Sequence, residues 1–236
     1  MSSGNVFERL FKLWASVCKL VLDGKRAAEE VCRVLQAIVD GKTLVESQPT
    51  SEELFADWAK FYKEVFGLDL DFSGVKIPER KPGFDRLLVI AQSMTPQRLF
   101  DKCKELFPSW KYTDKNLDDI TKSDRTAENG AYAIWVRDHI EADEENKNIS
   151  ADQLKDRGGC EETLEERMLH ELKFFKETGK HLDVENITLC AGSRDTGGYV
   201  SLAYWRGGNF KVYWDFSYNR YHRLRSRSVV SQNPPA

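Results

Sequence analysis

The chain has 236 residues, 41% of them hydrophobic and 31% charged, so it is long enough to bury a core and too apolar to be a disordered polyelectrolyte. Its net charge of −3 divides unevenly: residues 191–236 hold seven Arg and Lys against two Asp, or +5, which leaves −8 for residues 1–190. Five scattered cysteines without a Cys-x-x-Cys pair argue against a disulfide framework or zinc site, and no apolar run is long enough for a signal core or membrane span, so a cytoplasmic protein with reduced thiols is expected.

Helical spacing of Val6, Leu10, Leu13, Trp14, Val17, Leu20 and Val21 predicts a first helix over 5–23, closed by Asp23-Gly24. A second runs from Arg26 to Val39 on Ala27, Val31, Val34, Leu35 and Ile38. A third begins at the Thr50/Ser51 cap, with Glu53 following, and carries Leu54, Trp58, Phe61, Tyr62, Val65 and Phe66. Together they predict an all-α N-terminal module over residues 1–75, whose apolar stripes are core or a surface for self-association. Residues 74–83, with two prolines, two glycines and four charges, are the expected linker.

A second domain is expected over 84–236. Phe84–Ala91 and Ala131–Val136 have strand composition, and Thr95-Pro96 opens a helix stopped by Pro108. The polar stretch 111–130 is expected to be loop with at most a short helical turn. Asp138–Glu145 is an acidic stretch, and the run Glu141–Glu145 within it is expected to be a solvated face. Asp152–Arg157 is a short helix ended by Gly158-Gly159. Thr163 and Glu166 form a capping box for a helix to Thr178, with Leu164, Met168, Leu172 and Phe175 as its buried stripe and Gly179 as its stop. Ile187–Cys190, Tyr199–Trp205, Phe210–Asp215 and Ser226–Ser231 follow as strands, with Gly207-Gly208 as a tight hairpin turn. The fold class is α+β, with antiparallel strands near the C-terminus.

Catalytic motifs are poor. His139, His170, His181 and His222 have no metal-ligand spacing, and His139 beside Asp138 and Glu141 lacks a nucleophile motif, so no catalytic residue, cofactor or metal is assigned. The informative change comes at Ala191. Lys, Glu, Gln and Met make up 46 of the first 190 residues, and of residues 191–231 only Lys211 belongs to that set. Nine of the 23 residues from Tyr199 to Tyr221 are aromatic. Period-two geometry places Phe210, Val212 and Trp214 on one face of the hairpin, expected to be core, and Lys211, Tyr213 and Asp215 on an outer face. Tyr and Arg among small polar residues suit a binding surface. Interleaved arginines and rings also fit single-stranded nucleic acid, which is the alternative reading.

The segment resembles the C-terminal variable region of proteins diversified by retroelements. The resemblance rests on Gly192-Ser193-Arg194, Trp205, Gly207-Gly208, Trp214 and Leu224-Arg225-Ser226-Arg227, and it covers about 84–236, most sharply from Ile187. In that family the variable codons yield Tyr, Phe, Ser, Asp, Asn, His, Arg, Leu, Ala, Gly and Thr, but not Lys, Glu, Gln, Met or Trp. The resemblance implies a C-type-lectin-like domain, with a variable region of about 191–231, that binds a protein or other macromolecular ligand without catalysis. Asp195, Thr196, Tyr199, Tyr204, Arg206, Tyr213, Asp215, Phe216, Ser217, Tyr218, Asn219, Tyr221, His222 and Arg223 are the implied binding positions. Trp205, Trp214, Leu224 and Val229 are the implied fixed scaffold, and Arg225 and Arg227 are expected to pair with the acidic body. Ala191-Gly192-Ser193-Arg194 stands where better-known members have Gly-Gly-Ser-Trp, and calcium-type Glu-Pro-Asn or Trp-Asn-Asp motifs are absent.

Overall fold

The computed structural model describes residues 3–24, 27–41 and 49–232. The chain divides into two compact units, 1–49 and 50–236. The first holds helices α1 (Ser3–Leu22) and α2 (Ala28–Val39), which match the apolar spacing. Val6, Leu10, Leu13, Trp14 and Leu20 of α1 are exposed, whereas Val17 and Val21 are half-buried. Among the described residues no helix is long and apolar enough to cross a membrane.

The domain boundary differs from the sequence expectation. Helix α3 (Ser51–Phe66), opened by the anticipated Thr50/Glu53 capping box, belongs to the second unit. Its aromatic stripe is the reason. Trp58, Phe61 and Tyr62 are buried in the main core; Trp58 Nε1 donates to the Leu87 carbonyl at 3.1 Å and Tyr62 Oη to that of Val89 at 2.8 Å. The expected linker at 74–83 is packed chain, because Val75 and Ile77 lie against the core and the Pro78 carbonyl accepts from Trp135 Nε1 at 2.9 Å. Composition marked the turn-rich segment, but burial of the α3 rings puts the break at Pro49.

The second unit is mixed α+β. After α3 come β1 (Arg86–Ile90), α4 (Pro96–Leu106), β2 (Ser109–Lys111), α5 (Leu117–Ile120), β3 (Thr121–Ser123), β4 (Tyr132–Val136), α6 (Ala151–Asp156) and α7 (Leu164–Thr178). The chain ends in β5 (Ile187–Asp195), β6 (Val200–Arg206), β7 (Asn209–Asp215) and β8 (Leu224–Arg225). Strands β1 and β4 form an antiparallel pair. The larger sheet runs β2-β7-β6-β5-β3, with β8 joined in parallel to the start of β5. The β6–β7 turn has Gly207 and Gly208 at φ +62° and +76°, the two positive values a two-residue hairpin of this twist requires. The last expected strand, Ser226–Ser231, is reduced to single bridges from Ser228 to Glu161 and Val230 to Trp135. In the loop expected at 111–130, α5 is the short helical turn allowed for, and β3 together with Lys111 at the end of β2 adds strand.

Strand β5 bulges between Cys190 and Arg194. A Cβ on Gly192 would lie 2.9 Å from the Glu161 carbonyl oxygen, so glycine lets this strand approach the entry to α7. All of Leu164 to Phe174 is buried, so α7 is central rather than amphipathic. Leu164, Met168, Leu169 and Leu172 fill the apolar core, and the opposite side meets a buried polar layer. There Asp183 accepts from Arg167 Nε at 2.9 Å, Arg227 Nη2 at 2.8 Å and Thr188 Oγ1 at 2.5 Å. Arg167 also donates to Glu171 at 2.8 Å, and Arg125 grips Glu166 with two nitrogens. The expected pairing of Arg227 and Arg225 with acidic groups is present, the latter reaching Glu144 at 2.5 Å.

The acidic stretch is solvated only in part: Asp138, Glu144 and Glu145 are exposed, whereas Glu141 and Asp143 are engaged. Asp143 is buried against Arg137 at 2.5 Å and accepts from the Ser228 N–H, and Glu141 accepts three N–H groups from residues 184–186. Burial raises the carboxyls of Glu161 and Glu165 to about 7 and of Glu162 to about 8. His170, whose Nδ1 lies 2.9 Å from Glu162, is held neutral by the same burial and by Arg227.

Two outcomes follow. A chain beginning at Thr50 is expected to unfold in urea in one transition at the midpoint of the body of the full chain, and one beginning at Val75 to lose that transition. The folded carboxyls bind protons that the unfolded ones release above the usual glutamate range, so their contribution is complete below pH 4.5 and is lost as pH rises through about 7 to 8. The urea midpoint should therefore fall from pH 5.5 to pH 8.5, and Glu162→Gln should flatten that slope.

Candidate ligand-binding surface

The hairpin faces divide as the alternation requires. Phe210 and Val212 are fully buried, and Trp214 and Trp205 pack on the same core. Trp205 stacks on His181 with centroids 3.4 Å apart, and Leu224 and Val229 are buried; Trp214, half-buried against the core, also lines the groove described below. The opposite face is not simply an outer surface. Val200 and Leu202 on it are buried in a second, smaller core with Ile149, Leu154 of α6, Ile187, Leu189 and Leu224. Tyr204, Tyr213 and Tyr221 roof this core as half-buried rings. Partial burial raises the Tyr204 hydroxyl and pushes that of Tyr221 up to about 12.

None of the fourteen implied binding positions is buried. Nine of them fall into two places rather than one, and Tyr204, Ser217, Tyr218, Asn219 and Tyr221 line neither. Asp195, Thr196, Tyr199, Tyr213, Asp215 and Phe216 line a groove of about 400 Å³. Its Tyr199 and Phe216 centroids are 4.9 Å apart, and outside the groove Tyr218 stacks on Phe216 at 5.1 Å, which prolongs the strip of rings. The two aspartates also hold backbone. Asp195 Oδ1 accepts from the N–H groups of Gly197 and Tyr199 at 2.8 and 2.9 Å, and Asp215 Oδ1 accepts from the Phe216 N–H at 2.9 Å and from Asn219 Nδ2. Ser217 Oγ donates to Asp152 of α6 at 3.0 Å, which ties the loop to the second core. Arg206, His222 and Arg223 line a different recess, described below.

The far wall of the groove went unread in the sequence. Strand β2 lies parallel to β7, and the chain after it brings Tyr112, Thr113 and Lys115 to the groove. Tyr112 is 61% exposed and lies 4.6 Å from Tyr213, so it extends the ring strip. Alternation in Trp110-Lys111-Tyr112 after the helix-ending Pro108 was the available signal. His139 is exposed, and its backbone carbonyl accepts from Arg227 at 2.9 Å. Among the described residues no three His, Cys, Asp or Glu side chains converge as metal ligands.

Comparison with protein families, with curated proteins and with solved structures gave no match.

The geometry separates exchangeable surface from scaffold. Tyr199→Ser, Phe216→Ser and Tyr218→Ser are each expected to change stability by less than about 0.5–1 kcal/mol, and Trp205→Ala to cost about 3–5 kcal/mol. Urea midpoints of the four variants measure this contrast.

Proposed function

We propose that this chain is a non-enzymatic ligand-binding protein of the kind diversified by retroelements, displaying a variable surface on a C-type-lectin-like body. The observation that carries the reading is the coincidence of alphabet and exposure. All fourteen candidate positions hold residues that such diversification yields, and none of them is buried. Between them lie Val200, Leu202, Ala203, Phe210 and Val212, all buried. The packed helices α4 and α7 and the antiparallel β5–β7 sheet are compatible with the lectin-like body. The ring-lined groove supplies rigid area, and its aspartates and serine supply hydrogen bonds, as a macromolecular interface uses them.

Binding of single-stranded nucleic acid needs rings and guanidinium groups in one channel. Here the rings share a groove with Asp195 and Asp215, and the arginines at 206 and 223 line a separate recess. That separation favours a protein ligand. The exposed apolar positions of α1 make self-association a further part of the proposal, with several copies raising avidity.

The test is the DNA beside the gene. A reverse transcriptase and a near-copy of codons 191–231 differing at adenines are expected, with the differences falling on the fourteen positions. Differences concentrated at Phe210, Val212 or Leu224 would sink the proposal, as would the absence of both elements.

A further inference from the structure

The recess that takes Arg206, His222 and Arg223 measures about 530 Å³ and is also lined by Lys147, Glu185 and Arg225. Its walls come from four separate stretches of chain: the turn after Asn146, the segment before β5, the end of β6 and the return into β8. Backbone bonds hold these walls. Arg223 accepts from the Ile187 N–H at 2.9 Å, Leu224 accepts from the Asn148 N–H at 2.8 Å, and Glu141 clamps the 184–186 turn. The cations are therefore brought together by the fold.

Their charges do not cancel. Glu144 lies between two of them, 2.5 Å from Arg225 and 3.3 Å from Lys147, and Glu185 is the one carboxylate on the lining. Arg206 and Arg223 are exposed, and among the described residues neither lies within ion-pair distance of a carboxylate. Arg206 lies only over the Tyr204 ring, at 5.9 Å. Four permanent cations stand against Glu144, Glu185 and Glu141, the last already taken up by the N–H groups of residues 184–186, which leaves a concave site with net positive charge. Guanidinium forks present paired N–H donors that match the oxygens of a phosphoryl group, and a phosphoryl dianion supplies the missing charge.

We infer that this recess is a binding site for a phosphoryl dianion, held chiefly by Arg206 and Arg223. The inference concerns the arginines that this chain carries at 206 and 223, two of the positions taken above as diversified, and it requires neither the aromatic groove nor the retroelement reading, so its outcome is separable from theirs. Phosphate as the free ion and phosphate carried as an ester share this chemistry, and the probes distinguish them.

The experiment is calorimetric titration of the full chain with inorganic phosphate and with phenyl phosphate, at ionic strength held constant with chloride. Both should bind, and Arg206→Ser with Arg223→Ser should weaken them about tenfold or more, the scale of losing a charge-assisted pair. Arg206→Lys, which keeps charge and loses the fork, should fall between. Arg220→Ser, on the same loop and outside the recess, should match the parent chain. Binding of inorganic phosphate without phenyl phosphate would assign the site to the free ion, and the reverse to an ester. No binding above chloride, or equal binding by the parent and the double variant, overturns the inference. Both arginines are exposed, and equal urea midpoints of the variants verify that folding is unaffected.

Discussion

Asp183 is the constraint on which the second unit turns. It is fully buried, has a positive φ of +52°, and receives Arg167 from the central helix and Arg227 from the final segment. Two guanidinium groups hold its carboxyl below the usual aspartate range despite the burial that opposes ionisation. Removing one partner from such a cluster leaves an uncompensated buried charge, which costs about 3–5 kcal/mol. The cluster therefore specifies which segments meet. Helix α7, the entry to β5, the 139–142 loop and the C-terminal segment come into register around one carboxylate. With those four fixed, β5 has an edge for β6 and a starting edge for β8, and the hairpin and its following loop have a place to stand.

Much of this was legible in the chain and some was not, for physical reasons. The capping boxes at Thr50 and Thr163 and the glycine pair at 207–208 are local devices whose cause lies within a few residues, and each appears as read. Helix α7 was bounded correctly, but its burial on every side was not, since Glu165, Arg167 and Glu171 look solvated until long-range partners are known. Within the acidic stretch, Asp138, Glu144 and Glu145 are exposed as expected, but Glu141 and Asp143 are satisfied by backbone N–H groups of residues 184–186 and 228 far away in sequence, and Asp143 also by the nearby Arg137. The 74–83 segment has linker composition, yet composition does not report that the Pro78 carbonyl meets Trp135. Strands β2 and β3 are three residues each and owe their existence to the neighbours they pair with.

For the candidate surface, alternation along the hairpin identified inward and outward sides, because side-chain direction in a strand is fixed by the backbone alone. It did not reveal that the outer side is itself partly roofed. Nor did it reveal that the loop residues part into an aromatic half and a cationic half. Those outcomes depend on where α6 and the 184–186 turn sit, which the hairpin sequence does not encode.

The three roofing tyrosines give the surface an uneven tolerance for change. Phe216, Tyr218, His222 and Arg223 project outward and can be exchanged with little consequence for the interior. Tyr204, Tyr213 and Tyr221 cover Leu202, Leu224 and their neighbours, so a small residue at any of them would admit water to the second core. If these positions are rewritten in nature, the accessible repertoire is not a product of independent choices. Sequences keeping large rings at the three roofing sites would survive as folded protein, and the rest would be thinned by instability before any ligand selected among them. In that case the scaffold itself would impose a bias toward tyrosine on the surface.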